Sequence, residues 1–198
     1  MAGLRPARSL DPGLLTAWRG IAYCHVPADQ PLRLERLVTS DGSDDRWNRA
    51  GEPTLYVALD LATAIGELAR HLELAPGMPA CRRRIIGLSV DIDRVADLRR
   101  PDIRIAFGAG DEPAAFGDRE LARDVAARVR HDGACNGLLV PSMTFLDDPA
   151  RGNLVVFVDR FGGGIDDIVG GVVDAGFVEL RLPAVAASDM KRGRSPEG

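Results

Sequence analysis

The apolar positions of this chain follow two periods. Over residues 54–59 they alternate. Leu55, Val57 and Leu59 share one face and Thr54, Tyr56 and Ala58 the other, which predicts a strand. The period then lengthens. Leu61, Ile65, Leu68 and Leu72 recur at helical spacing, behind Asp60 as N-cap and ahead of Gly77 and Pro79 as stop signals. Glu67 lies one residue off that stripe, at the border of the buried face. A second helix is predicted over 118–130 from Leu121, Val125 and Val129, with Gly133 beyond its end. Short apolar runs predict strands at 137–140 and 153–158, and weaker patterns predict them at 18–26, 32–39, 84–92 and 177–182. Residues 40–53, SDGSDDRWNRAGEP, form a polar loop punctuated by Gly42, Gly51 and Pro53.

Strands and helices do not alternate regularly, as they would in a doubly wound parallel sheet. The expected class is α+β, with a mixed, mostly antiparallel sheet and two main helices. Residues 1–13 and 185–198 are poor in large apolar side chains, so loosely ordered ends are expected around one domain at 14–184.

Composition narrows the chemistry. The chain has 198 residues, 45% hydrophobic and 27% charged, which fits one soluble globular domain. No apolar run approaches the roughly 18–20 residues of a membrane span. The N-terminal MAGLRPARSLDPG has no apolar h-region, so a cytoplasmic protein is expected. A net charge of −4 argues against direct nucleic-acid binding. Cys24, Cys81 and Cys135 are widely spaced and odd in number, which reads as reduced thiols. His25, His71 and His131 form no HExxH, and there is no CxxC, so no metal site is predicted. Familiar nucleotide and hydrolase motifs also fail. Pro113 stands where the third glycine of GxGxxG should be, Gly162–Gly164 has no following Lys-Ser/Thr, and Ser142 lies outside any GxSxG elbow.

Three segments remain. Arg46-Trp47-Asn48 lies in the polar loop and leads through Gly51 to Leu55-Tyr56. Glu67 lies on the first helix. The run 137–142, GLLVPS, is followed by 153–157, NLVVF. Singly, each has an ordinary explanation. Arg46 could pair with Asp44 or Asp45, and Glu67 with Arg70 or His71 one helical turn on. Ser142 could be a turn hydroxyl.

Together, and in this order from about residue 18 to 158, these segments resemble the RES domain family. The resemblance implies an ADP-ribosyltransferase-like fold. It also implies a bacterial toxin that consumes NAD+ as substrate without a metal, and a cognate Xre-like helix-turn-helix antitoxin that blocks the site, with which an oligomer could form. Arg46, Tyr56, Glu67 and Ser142 match the family's active-site positions. Arg19, Trp47, Asn48 and Asn153 are carried over as substrate-binding candidates. Asp44-Asp45 replaces the pair of glycines usual before RWN and adds negative charge near Arg46.

The residue types suit that chemistry. The nicotinamide leaving group is already cationic, so breaking its bond to ribose needs no general acid and passes through an oxocarbenium-like state. A carboxylate such as Glu67 can orient the sugar and stabilise that charge. Arg46 presents a planar fork for phosphate oxygens, Tyr56 a π-face for a ring, and Ser142 a hydroxyl for the sugar or for Glu67. Three readings stand: a toxin that depletes NAD+ by hydrolysis or phosphorolysis, an ADP-ribosyltransferase acting on one macromolecule, and an inactive RES-fold binding module.

Overall fold

The computed structural model describes residues 12–39, 44–73 and 80–181. The expected ends therefore lie almost wholly outside the described residues, as do Gly42, Gly77, Pro79 and Leu182; Pro12–Leu14 form a 3-10 turn. The described strands are β1 (Leu15–Pro27), β2 (Val38–Thr39), β3 (Thr54–Ala58), β4 (Ala80–Asp97), β5 (Gly137–Pro141), β6 (Gly152–Phe157) and β7 (Val169–Arg181). The α-helices are α1 (Leu61–Glu73), α2 (Pro101–Ala106) and α3 (Arg119–Asp132). The expected α+β class is observed. Only β4 with β5 is a parallel pairing among the described strands, and α1 and α3 are the two main helices.

The sheet runs β1-β3-β6-β5-β4-β7, and β1 also pairs with β4. That extra pairing curls the sheet into a ring. The ring encloses Leu55 and Val57 of β3, Ile86, Leu88, Val90 and Ile92 of β4, and Leu154 and Val156 of β6. The outer face of β3, β6 and β5 carries Tyr56, Val155, Phe157, Leu138 and Val140 against α2 and α3. Those strands are covered on both faces, which explains the unbroken apolar runs GLLV and LVVF.

Ring closure is lopsided. β1 matches β4 from Leu15 to Pro27, but β1 meets β3 at one residue pair, Tyr23 with Ala58. Beyond Tyr23 the two strands separate. Helix α1 packs across this region against β1 and β3, burying Ala64, Leu68 and Leu72. Its buried face is rotated from the expected stripe, and Leu61 is exposed because the first helical residue overhangs the strands.

Several elements depart from expectation. The strand expected at 32–39 is a 3-10 turn, Leu34–Leu37, with only Val38 and Thr39 pairing with β3. Leu32, Leu34 and Leu37 pack against the ring interior, and the step from Leu34 to Leu37 is three residues, as the 3-10 turn requires. β7 is much longer than 177–182, since Gly170, Gly171 and Gly176 and exposure on both faces conceal its pattern. α2 is six residues long, too short for a periodic stripe, so the sequence pattern does not predict it.

Asp60 caps α1 as expected. Its carboxylate accepts the Thr63 backbone N–H at 2.8 Å and the Thr63 hydroxyl at 2.7 Å. Burial alone would raise its pKa, but the Thr63 hydrogen bonds outweigh this and hold it below the ordinary value. Asp60→Ala is expected to lower stability by about 1 kcal/mol, measured by urea unfolding; an unchanged midpoint would show that the cap contributes nothing.

Candidate active site

Where β1 leaves β3, a cleft of about 480 Å³ opens. β1 forms one wall through Tyr23–Pro27, while Tyr56–Ala58 of β3 and the 45–47 loop form the other. Glu67, Arg70 and His71 of α1 reach it from the side, Arg33 and Arg36 stand at its mouth, and Arg119 of α3 and Asn153 of β6 also line it.

Glu67 is held by the chain on either side of the β5–β6 connection. The Ser142 hydroxyl, fully buried, donates to Glu67 Oε1 at 2.6 Å, and it accepts the Thr144 backbone N–H at 3.2 Å. Asn153 Nδ2 donates to the same Oε1 at 3.5 Å, a weak contact. Asn153 is fixed by strand pairing between Ala58 and Val140. Oε2 accepts no hydrogen bond among the described residues, and Glu67 lines the cleft. One oxygen is thus anchored and the other is available. Gly66 permits this: a Cβ there would lie 2.6 Å from the Phe145 ring, so only glycine lets α1 approach the 142–151 segment so closely.

The loop carrying Arg46 is built like a small core. Trp47 is buried and packs edge-on against Phe116, ring centroids 4.8 Å apart. The Tyr56 hydroxyl accepts the Trp47 backbone N–H at 3.0 Å and donates to Asn48 Oδ1 at 2.7 Å. Arg123 of α3 donates to the backbone carbonyls of Asp44 and Asp45, and Asp44 Oδ1 accepts the Ala50 N–H at 2.8 Å. Asp44 therefore braces the loop where the family usually has glycine. Gly51 turns the chain at φ 83°, a conformation that suits glycine. Arg46 hydrogen-bonds the carbonyls of Phe116 and Gly117.

The structure thus brings Arg46, Tyr56, Glu67, Ser142 and Asn153 together and reassigns others. Asn48 is buried with its carboxamide engaged inside the loop, while Trp47 is a core anchor that also lines the cleft. Arg19 is exposed and pairs with Asp91 at 2.7 Å, four residues and roughly 13 Å along β1 from Tyr23. It is outside the cleft because only the far end of β1 lines it. Arg33, Arg36, Arg70 and Arg119 join the site without being singled out by the sequence. The i, i+3 spacing of Arg33 with Arg36, and of Glu67 with Arg70, is the available signal. Neither ordinary partner of Glu67 pairs with its carboxylate: Arg70 donates to the Met143 carbonyl, and His71 Nδ1 contacts the Glu67 backbone carbonyl at 2.9 Å.

The cleft is electropositive within an acidic chain. Burial, followed by Arg119 and Arg70, lowers the Arg46 pKa from its ordinary value, while Glu67 and Tyr56 oppose the shift. A guanidinium stays charged regardless, so the three cations repel one another until an anion arrives. Burial raises the Tyr56 pKa and keeps its hydroxyl a donor. Burial also pushes the Cys24 thiol up to about 12, so it stays protonated and a poor nucleophile. Among the described residues, no three of His, Cys, Asp or Glu gather to hold a metal ion.

Burial, then Arg83 and His71, pulls the His25 pKa down to about 4. The unfolded chain then binds more protons between about pH 4 and 6.5, so this group makes the fold less stable as pH falls through that window. The His25 ring signal in an NMR titration is expected to be flat from pH 5.5 to 8; a midpoint near 6.5 would contradict the burial. Tyr56→Phe leaves the Trp47 N–H and the Asn48 carbonyl without this partner. It is expected to destabilise the protein by roughly 1–3 kcal/mol in chemical unfolding, and wild-type stability would show that the loop is held otherwise.

Comparison with known proteins agrees with this architecture. A chain of the crystal structure of the M. tuberculosis MbcT–MbcA toxin–antitoxin complex matches with a TM-score of 0.59 at 22% identity, covering 82% of this chain and 87% of that one. No curated protein sequence matches significantly. The sequence profile of the RES domain matches residues 25–169, which include the Arg46 loop, α1 and both strands that position Glu67. The chain belongs to the RES domain family.

Proposed function

We propose that this protein cleaves the nicotinamide–ribose bond of NAD+ and is the toxin of a toxin–antitoxin pair. The observation that carries this is the Glu67 carboxylate, tied at one oxygen by Ser142 and open at the other, in a cleft whose lining arginines form no ion pair among the described residues. Arg46, Arg70 and Arg119 are the cations that would take the pyrophosphate. The Tyr56 ring supplies a flat wall; its hydroxyl is occupied by the loop.

In the reaction, the bond between ribose C1′ and the nicotinamide nitrogen breaks heterolytically. The electron pair leaves with nicotinamide, which becomes neutral. Glu67, through the oxygen that Ser142 leaves free, orients the ribose hydroxyls and stabilises the positive charge on the sugar. Water or phosphate then forms the new bond to C1′ and releases its proton to bulk solvent. Ser142 acts by holding Glu67 in place.

The matched crystal structure is a complex of a toxin with its antitoxin, which supports an antitoxin partner here. The family resemblance makes that partner an Xre-like helix-turn-helix protein. A carboxylate from it could meet Arg46 and occupy the place of a phosphate. Transfer of ADP-ribose to a macromolecule would use the same cleft and differs only in the acceptor.

The test is nicotinamide release from NAD+ by antitoxin-free protein, followed by chromatography with and without phosphate. Wild type is expected to turn over. Glu67→Gln is expected to lower kcat by about a hundredfold or more, and Ser142→Ala by about tenfold, since it loosens the carboxylate without removing it. Folded wild type without turnover would reject the enzymatic reading, and full activity of Glu67→Gln would reject the role of Glu67.

A further inference from the structure

The cleft holds more positive charge than a pyrophosphate needs. Arg119 and Arg70 both act on Arg46, whereas Arg33 and Arg36 approach from a separate element. That element is the connection from the end of β1 at Pro27 to β2, which pairs with β3. It therefore spans the mouth of the cleft from one diverging strand to the other.

Its geometry fixes where the two arginines point. Residues Leu34–Leu37 form a 3-10 turn, and the Arg36 N–H donates to the Arg33 carbonyl at 3.1 Å. With three residues per turn, side chains at i and i+3 project on the same side. Leu34 and Leu37 are one such pair and pack into the ring, with Leu32 beside them. Arg36 within the turn and Arg33, its extended N-cap, both line the cleft, as does the Leu37 edge, while Glu35 does not. Both arginines are exposed, and neither has a hydrogen-bonded or ion-paired side chain among the described residues. Among the other exposed arginines, Arg19, Arg94, Arg100 and Arg181 each pair with a nearby carboxylate, while Arg82, Arg119 and Arg160 form no ion pair among the described residues.

We propose that Arg33 and Arg36 form a subsite for a dianionic phosphate at the mouth of the cleft, separate from the wall of Arg46, Arg70 and Arg119. Two planar forks on one side of a turn anchored by leucines suit a terminal phosphate, which offers three oxygens. The inference rests on the dinucleotide reading of the cleft. Two sources share this chemistry: the 2′-phosphate of NADP+, and free inorganic phosphate that attacks the ribose.

The experiment compares wild type, Arg33→Ala/Arg36→Ala and the remote control Arg100→Ala, each first checked for an unchanged unfolding temperature. Turnover is measured with NAD+ alone, with NAD+ plus inorganic phosphate, and with NADP+. The double variant is expected to lose about tenfold or more in one phosphate-dependent quantity. A fall in kcat/KM for NADP+ relative to NAD+ assigns the subsite to the 2′-phosphate. A rise in KM for inorganic phosphate assigns it to the acceptor. Turnover of NAD+ alone is the reference against which each phosphate-dependent loss is read. Equal losses in all three measurements, or none in any, overturn the subsite. If wild type turns over neither dinucleotide, the reading of the cleft fails separately. Inorganic phosphate is then titrated onto the full chain by ³¹P NMR. A Kd weakened about tenfold in the double variant sustains the subsite, and an unchanged Kd overturns it.

Discussion

Between β1 and β3 the sheet makes one residue pair, Tyr23 with Ala58, and the cleft begins where that pairing stops. The separation follows from the rest of the sheet. β1 is committed to β4 along its whole length, and β3 is committed to β6 over all five of its residues. β4 reaches β5 only at Val95–Asp97, near its end. Twisted strands held at one end of a ring in this way diverge at the other. Among the described residues no further strand fills the gap. Helix α1 and the 45–47 loop border it instead, and they bring the charged groups.

The two carriers are braced by different physics. α1 is set by its Asp60 cap and by the close approach at Gly66, and Glu67 then meets a serine from the opposite side of the site. The Arg46 loop has no regular structure, so its backbone groups need side-chain partners. Tyr56, Arg123 and Asp44 provide several of them. The loop can therefore hold a cation near Arg70 and Arg119 despite their repulsion. An anionic ligand would offset that repulsion. The chain's net charge of −4 gives no hint of this, because only Asp45 and Glu67 among the acidic residues line the cleft, beside five arginines.

Much of this is legible in the sequence, for identifiable reasons. Strands covered on both faces announce themselves as continuous apolar runs, so the expected β5 and β6 fall within a residue or two of the observed ones. Asp60 announces α1, and Glu67 sits at the border of its apolar stripe, where the fold leaves it half-buried. Ser142 and Asn153 lie 75 and 86 residues beyond Glu67 in the chain, and they meet at its Oε1. What stays hidden depends on long-range geometry. Arg19 resembles a ligand contact because it lies on the right strand, but a strand is long and its cleft end lies elsewhere. Trp47 and Asn48 resemble ligand contacts because they flank Arg46, yet they are what positions it. Arg33 and Arg36 are concealed inside an expected strand, where i and i+3 would point to opposite faces.

Glu67 and the arginine wall are proposed to grip one ligand in the cleft between β1 and β3. A crystal structure of the Glu67→Gln protein with intact NAD+ tests this most directly. The expected result places the pyrophosphate among Arg46, Arg70 and Arg119, with the nicotinamide ribose beside residue 67 and the Tyr56 ring against the ligand. A dinucleotide bound outside that cleft, or bound within it with its ribose turned away from residue 67, would contradict it.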